Sequence, residues 1–415
     1  MLSPLTTKTL INARLLAILV LGFSSGLPLA LTGSTLQAWF TEAHISLVTI
    51  GALSLIGIPY TLKFLWAPLM DHYGFPWVGK RRGWILLTQL GLVFALIVLA
   101  NMDPTTEAAS MGIVALIVAF FSASQDISIT AYQTDVLKPE ERGLGAACYI
   151  FTYRIAALIS GGLALVFADY LGWKLTYEIM AALLIFSMVL TYKTPKANEL
   201  AVPTRNIFNT IMDALYDLLH REKIVLLLLF IVFYKFGDAL ALSLMTNFLL
   251  HGLGFSLTEV GLAYKVVSFV ATILGGFVGG IFLTRWNIYR ALLVFGLAQT
   301  FSNLMFVVLA LAGKQFSLMA ASIFIENFCS GLSTAALLAF LMSLCNHRYT
   351  ASQFALLSAV ASLGRVFLGP VAALMVENLG WVQFYLWSFV LCFPGILFLI
   401  LLKDKVSLYA PATAD

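Results

Sequence analysis

Charge is scarce in this chain. Only 11% of its 415 residues are Asp, Glu, Lys or Arg, while 61% are hydrophobic. A soluble domain carries about 25% charged residues. So little charge cannot cover a water-facing surface of this size, which excludes a soluble enzyme and leaves an integral membrane protein. Short alternating strands are also missing. The apolar runs extend over about 20 to 28 residues, the length of membrane-crossing helices rather than of barrel strands. Cysteine is sparse: Cys148, Cys329, Cys345 and Cys392 have neither CxxC nor metal-ligand spacing and lie in apolar runs, so they read as small core or lipid-facing residues. His44, His72, His220, His251 and His347 fall near the expected span ends, an arrangement that disfavours a metal cluster. No P-loop is present, which excludes an ATP-driven motor, and no cofactor is expected. The formal net charge of +4 does not indicate nucleic acid, because basic residues in membrane proteins mark the cytoplasmic loops. No small-residue cleavage pattern interrupts the run from Arg14 to Phe40, which reads as a retained first helix.

What is present is a succession of twelve expected spans: 13–40, 46–70, 83–101, 109–136, 143–168, 173–193, 224–250, 256–284, 289–312, 316–345, 351–377 and 381–402. The longest polar gap, 194–223, carries Ile207, Ile211, Leu215 and Leu218 at helical spacing. It reads as an amphipathic linker on the membrane face between halves 1–193 and 224–415. With both ends inside, the inner segments hold most of the basic residues, among them Lys80, Arg81, Arg82, Lys138, Arg142, Lys193, Arg285, Arg290 and Lys403. The outer loops hold only Lys174 and Lys314. The asymmetry predicts cytoplasmic termini. An internal repeat supports two halves. Leu171-Gly172-Trp173 recurs as Leu379-Gly380-Trp381, each preceded by a span arginine (Arg154, Arg365), and Glu326-Asn327 in the tenth span corresponds to Gln125-Asp126 in the fourth. Two six-helix halves with a midplane site at their interface is the design of major facilitator transporters. The expected fold class is therefore an all-α, twelve-helix bundle of that kind, and the chain is expected to act as a monomer in the lipid bilayer.

The stretch Phe121–Arg142 organises this reading, because it places Gln125, Asp126 and Asp135 within or beside a membrane span. A carboxylate at membrane depth costs roughly 2.5 to 3.5 kcal/mol on insertion scales and usually faces a bundle interior or an aqueous cavity. Five basic residues also lie within spans: Lys63, Arg154, Lys235, Lys265 and Arg365. Asp126, Asp135, Glu178, Asp238 and Glu326 are available as partners, and Lys235 and Asp238, three apart, share a helix face. The bland alternative is ion pairs that only fix packing, or snorkelling by Lys63 and Asp135. Taken together, the set is better explained by a polar cavity. Its expected substrate-binding and coupling residues are Lys63, Gln125, Asp126, Arg154, Asp238, Lys265, Glu326, Asn327 and Arg365. With no ATP site, the energy source is expected to be an ion gradient, with a buried carboxylate as proton carrier.

The loop Asp71–Arg82, DHYGFPWVGKRR, resembles the signature loop of major facilitator proteins. It is expected to gate the cytoplasmic side through Asp71, Arg81, Arg82, Asp135 and Arg142. Plain anchoring by its basic residues is the alternative. Gly22, Gly26, Pro28 and Gly33 in the first span either free backbone groups toward a cavity or permit close packing. Gly275, Gly276, Gly279 and Gly280 read as packing residues. Trp39, Tyr60, Trp66, Tyr132, Tyr149, Tyr153, Tyr234 and Tyr264 could stack on a sugar ring or simply pack.

Several stretches, among them GFSSGLPLALTGSTLQAWF (22–40), KFLWAPLMDHYG (63–74), SASQDISITAYQTDVLKPEERG (122–143), YKFGDAL (234–240), ENFCSGLSTAALLAFLMSLCN (326–346) and TASQFALLSAVASLGRVFLGPVA (350–372), resemble the AmpG muropeptide permeases. The resemblance covers almost the whole chain. It implies a bacterial inner-membrane permease that imports N-acetylglucosaminyl-1,6-anhydro-N-acetylmuramic acid, with or without peptide, in a proton-dependent manner. A siderophore or other anionic small solute is the alternative cargo. A transporter-like receptor without flux and a lipid-modifying transferase are the rivals outside transport.

Overall fold

A computed structural model describes residues 12–74, 78–138, 141–196, 216–218, 220, 222–345 and 350–408. Those residues form helices and connecting turns, with no strand among them. Eleven helical runs are long and apolar enough to cross a membrane: α1 (Ala13–Glu42), α2 (Leu47–Leu65), α3 (Lys80–Ala100), α4 (Pro104–Val136), α5 (Leu144–Leu171), α6 (Trp173–Tyr192), α7 (Ile224–Gly252), α8 (Leu257–Leu283), α9 (Ile288–Ala312), α10 (Phe316–Ser343) and α11 (Leu356–Leu401). The last run contains both of the expected final spans, because Gly380 (φ 77°, ψ 168°) breaks the helix inside it. Most of the expected linker, 197–215 with 219 and 221, lies outside the described residues.

The sequence repeat is matched by backbone geometry. Gly172 between α5 and α6 has φ 80° and ψ 164°, nearly the conformation of Gly380. That region is open to glycine and strained for residues with a Cβ. Each glycine ends one helix and lets a tryptophan begin the next. Other starts carry side-chain caps. Asp103 accepts from Thr105 N–H at 2.8 Å and from the Thr105 hydroxyl at 2.7 Å, with Pro104 at the first helical position. The Thr105 hydroxyl, then its N–H, holds the Asp103 carboxyl below its usual range. Ser256 and Glu259 form a reciprocal capping box, and Asn287 accepts from Arg290 N–H at 2.8 Å.

By internal packing the chain divides into two compact units, one of Met1–Ile45 with Ile56–Pro203 and one of Ser46–Leu55 with Thr204–Asp415. Ser46–Leu55 groups with the second unit, where Ser54 Oγ donates to the Val366 carbonyl at 2.7 Å. In the first unit α1 and α5 touch backbone to backbone. A Cβ at Gly26 would lie 2.2 Å from the Tyr153 carbonyl oxygen, and one at Gly22 would meet Thr152 Oγ1 at 2.3 Å. Close packing is therefore what these two glycines provide. In the second unit α8 and α10 meet the same way, with Gly275 against Phe328 and Gly331 against Thr272. Gly279 also faces α10, whereas a Cβ at Gly276 or Gly280 would meet nothing. The four-glycine cluster thus has one packing face and one open face. Phe94, Phe151, Phe186, Phe277 and Leu311 are more than half exposed, the surface expected of a chain whose solvent is lipid.

Candidate functional site

In the first unit the polar groups converge on α4. Asp126 Oδ2 lies 3.9 Å from Lys63 Nζ. Lys63 sits in a 3₁₀ turn, Lys63–Leu65, at the end of α2. The Ser25 hydroxyl donates to Asp126 Oδ1 and lies 2.8 Å from the Tyr149 hydroxyl. One turn of α1 therefore presents Ser25 to a carboxylate while Gly22 and Gly26 bring the backbones of α1 and α5 together. The neighbouring Gln125 is fully buried. It donates to Ser24, which also accepts from Gln89 Nε2 at 2.8 Å.

The second unit holds a denser cluster. Lys235 interrupts α7, with φ −110° and ψ 8° between two helical segments. Its ammonium donates to Ser333 Oγ at 2.6 Å, Gln299 Oε1 at 2.9 Å and the Ser330 carbonyl at 3.2 Å. It also lies 3.5 Å from Asp238 Oδ2. Asp238 follows three residues later, on the same face of the helix. Its Oδ2 accepts from Ser330 Oγ at 3.4 Å. Glu326, Ser330 and Ser333 recur at i, i+4 and i+7 on α10, so they form one stripe facing this lysine. Glu326 is fully buried and interacts electrostatically with Asp238 and Lys235. Next to it, Asn327 accepts from Thr272 Oγ1 at 3.4 Å. A cavity of about 520 Å³ opens here, lined by Lys235, Asp238, Asn327, Ser330, Ser358 and Arg365 among others. Small-molecule pockets typically measure about 300 to 1,000 Å³.

The expectation of internal acidic partners holds for Lys63 and Lys235 and fails for two other cations. Arg154 is exposed and makes no ion pair among the described residues. Lys265, in the π-helical turn Val260–Val266, lies over the Tyr264 ring at 4.4 Å, a cation–π contact instead of an ion pair. Arg365 is exposed to the cavity and interacts electrostatically with Asp238.

Of the expected gate residues, Arg81 Nε pairs with Asp135 Oδ2 at 3.1 Å, and Arg82 donates to the Tyr192 carbonyl. Both arginines are buried in the first turn of α3. The expectation of a loop ending at Arg82 is corrected on this point: the helix begins at Lys80, because each guanidinium finds an internal acceptor. The side chains of Asp71 and Arg142 lie outside the described residues. Beside this group Glu141 accepts from Lys138 N–H at 3.1 Å, Arg14 Nη1 at 3.2 Å and Asn12 Nδ2 at 2.7 Å. Partial burial would raise its carboxyl, but the Lys138 and Arg14 donors outweigh this and hold it below its usual range.

Several expected stacking aromatics are engaged in packing or hydrogen bonds. Trp39 stacks on Trp173 at 5.5 Å, Trp66 donates to Ser124 at 2.9 Å, and Tyr132 and Tyr234 donate to the carbonyls of Pro195 and Leu292. Sequence reasoning placed Lys235 beside Asp238 but left it out of the site, together with Gln299, Ser330 and Ser333. The available signals were the three-residue spacing of Lys235 and Asp238 and the i, i+4, i+7 stripe of Glu326, Ser330 and Ser333; Gln299 had none.

Comparison with known proteins accords with this geometry. The family model described as Major Facilitator Superfamily matches residues 18–352 and 227–414. The chain is 46% identical over 94% of its length to the anhydromuropeptide permease of Escherichia coli K12, of which it covers 79%. It is 32% identical over 95% of its length to the putative transporter AmpG 1 of Rickettsia conorii, covering 99% of that protein. Among solved structures, a bacterial homologue of the human lysosomal transporter Spinster, inward-facing and unoccupied, superposes with a TM-score of 0.73 at 15% identity, covering 97% of this chain and 100% of that one. A D-xylose-proton symporter does so with 0.70 at 12% identity, covering 97% and 98%. These two establish the shared fold alone. The chain is a multi-pass membrane permease and not an enzyme. It belongs to the Major Facilitator Superfamily, in its AmpG-type branch.

Proposed function

We propose that this protein imports cell-wall muropeptides, N-acetylglucosaminyl-1,6-anhydro-N-acetylmuramic acid with or without peptide, across the bacterial inner membrane in symport with protons. The observation that carries the reading is the 46% identity over nearly the whole chain to an anhydromuropeptide permease. The second-unit cavity supports it, because its lining offers both charge signs and hydroxyls to a sugar bearing amides and a carboxylate. Lys63, Gln125, Asp126, Arg154, Asp238, Lys265, Glu326, Asn327 and Arg365 form the binding and coupling set. Asp126, Asp238 and Glu326 are its protonation candidates, because acidic side chains at membrane depth persist where they do work. Asp71, Arg81, Arg82, Asp135 and Arg142 act as a cytoplasmic gate. The termini are cytoplasmic, and the halves 1–193 and 224–415, joined by 194–223, move as units of a monomer so that the cavity opens alternately to each side. The test is uptake of labelled disaccharide peptide into proteoliposomes. Uptake that rises with an inward proton gradient is expected. Absence of uptake by folded protein overturns the muropeptide reading and turns the search to siderophores and other anionic solutes.

A further inference from the structure

The Lys235 cluster contains more acceptors than donors. Asp238 Oδ1 and both carboxyl oxygens of Glu326 are buried with no hydrogen-bond donor among the described residues. The two carboxyl groups face each other within hydrogen-bonding reach. Two carboxylates cannot bond to one another, since each only accepts. One proton between them turns one into a donor and satisfies the other. Like charges at such close range make sharing a single proton the favourable arrangement.

Gln299 of α9 also reaches Asp238, but among the described residues no polar group outside the pair donates to Glu326. From α7 the pair faces Lys235, already committed to Ser333, Gln299 and Ser330. From α8 it faces Tyr264, and from α11 Arg365, Tyr385 and Cys392. On α10 itself the nearest titratable neighbour is Cys329. The Tyr385 hydroxyl is itself buried without a partner. The Asp126 site differs on this count, because Ser25 and Lys63 serve its two oxygens.

We infer that Asp238 and Glu326 form a carboxyl pair that binds one transported proton, and that its charge state sets the affinity of the adjoining cavity for a carboxylate on the substrate. This deepens the proton-coupled reading above and rests on it. With the pair fully ionised, Lys235 and Arg365 are balanced by the two carboxylates, and the cluster is neutral. One proton leaves it with a single positive charge beside the cavity that Lys235, Asp238 and Arg365 line. An anionic substrate restores neutrality. Moving a net charge through an apolar core is costly, so proton and substrate carboxylate favour crossing together. The proton arrives from water on one side and leaves to water on the other, with no covalent step.

Glu326→Gln tests this. The amide mimics the protonated acid, since it donates to Asp238 and carries no charge. In proteoliposomes the variant is expected to lose accumulation of labelled muropeptide driven by a proton gradient. Gradient-driven accumulation equal to wild type overturns the inference. A substrate-free measurement separates the two proposals. The thermal stability of the detergent-solubilised wild type is expected to vary with pH, and Glu326→Gln and Asp238→Asn are expected to flatten that dependence. If wild type transports no muropeptide but the variants flatten the profile, the carboxyl pair stands and the substrate assignment falls. Unchanged profiles in both variants overturn the pair whatever the substrate.

Discussion

Each unit contains a lysine–aspartate pair, and the two pairs live in different environments. Lys63 and Asp126 are 3.9 Å apart, and the lysine side chain is 42% exposed. Lys235 and Asp238 are 3.5 Å apart, with side chains only 14% and 10% exposed. The first lysine comes from a different helix than its aspartate and can hydrate. The second is held by a broken helix, hydrogen-bond acceptors of three residues on two other helices, and a pair of carboxylates. The difference teaches that the same two residue types act as an adjustable contact where water reaches them and as a fixed counter-ion where it does not.

The sharpest way to break that comparison is to remove each lysine. Lys235→Ala leaves Asp238 and Glu326 buried without their cation and is expected to cost about 3 to 5 kcal/mol. Lys63→Ala, at a solvent-screened pair, should cost under about 1 kcal/mol. Denaturation in detergent micelles measures both. Equal losses would show that the exposure difference has no energetic consequence.

A second comparison concerns how the units are packed. Gly26→Ala and Gly275→Ala each drive a methyl into a facing backbone carbonyl. Each is expected to destabilise by about 1 to 3 kcal/mol. Gly276→Ala, one residue along on the open face, should be neutral or slightly stabilising, because alanine has the better helix propensity. Thermal melts of the three variants check this, and a large loss in Gly276→Ala would contradict the two-faced reading of α8.

The smallest effect belongs to Glu141. Its folded-state pKa lies below the ordinary 4.5, so the stability it contributes is present above that pH and fades as the pH falls through the depressed value. Its side chain is 14% exposed and that of its partner Arg14 is 32% exposed, so the contribution is expected to stay under about 1 kcal/mol. Glu141→Gln should remove that part of the acid sensitivity while leaving neutral-pH stability within the same margin. Stability against pH, measured side by side with wild type, reads the difference.

Much was legible in the chain before any coordinates. Low charge and long apolar runs set the helical membrane class, since a bilayer-spanning backbone must satisfy its own hydrogen bonds. The two Leu-Gly-Trp repeats announced matched breaks, and Gly172 and Gly380 have nearly the same dihedral angles. Lys235 and Asp238 could be named as neighbours, three apart on one helix face, and Lys63 could be expected to have an acidic partner because charges at membrane depth are few and must be compensated. Arg154 and Lys265 obeyed the same reasoning and escaped it, one through exposure and one through an aromatic face.

By itself, then, the sequence determined the helical, membrane-spanning nature of the chain, the repeat, and the short roster of charges that had to be accommodated. These depend on composition and local periodicity, which each segment carries alone. Only the tertiary structure decided which oxygen each charge meets. It set Ser25 on Asp126, gathered Gln299, Ser330 and Ser333 around Lys235, and left Glu326 facing Asp238 without a donor. Those encounters join residues up to about a hundred positions apart. They depend on where a helix breaks and how closely glycine lets two backbones approach, which no local pattern encodes.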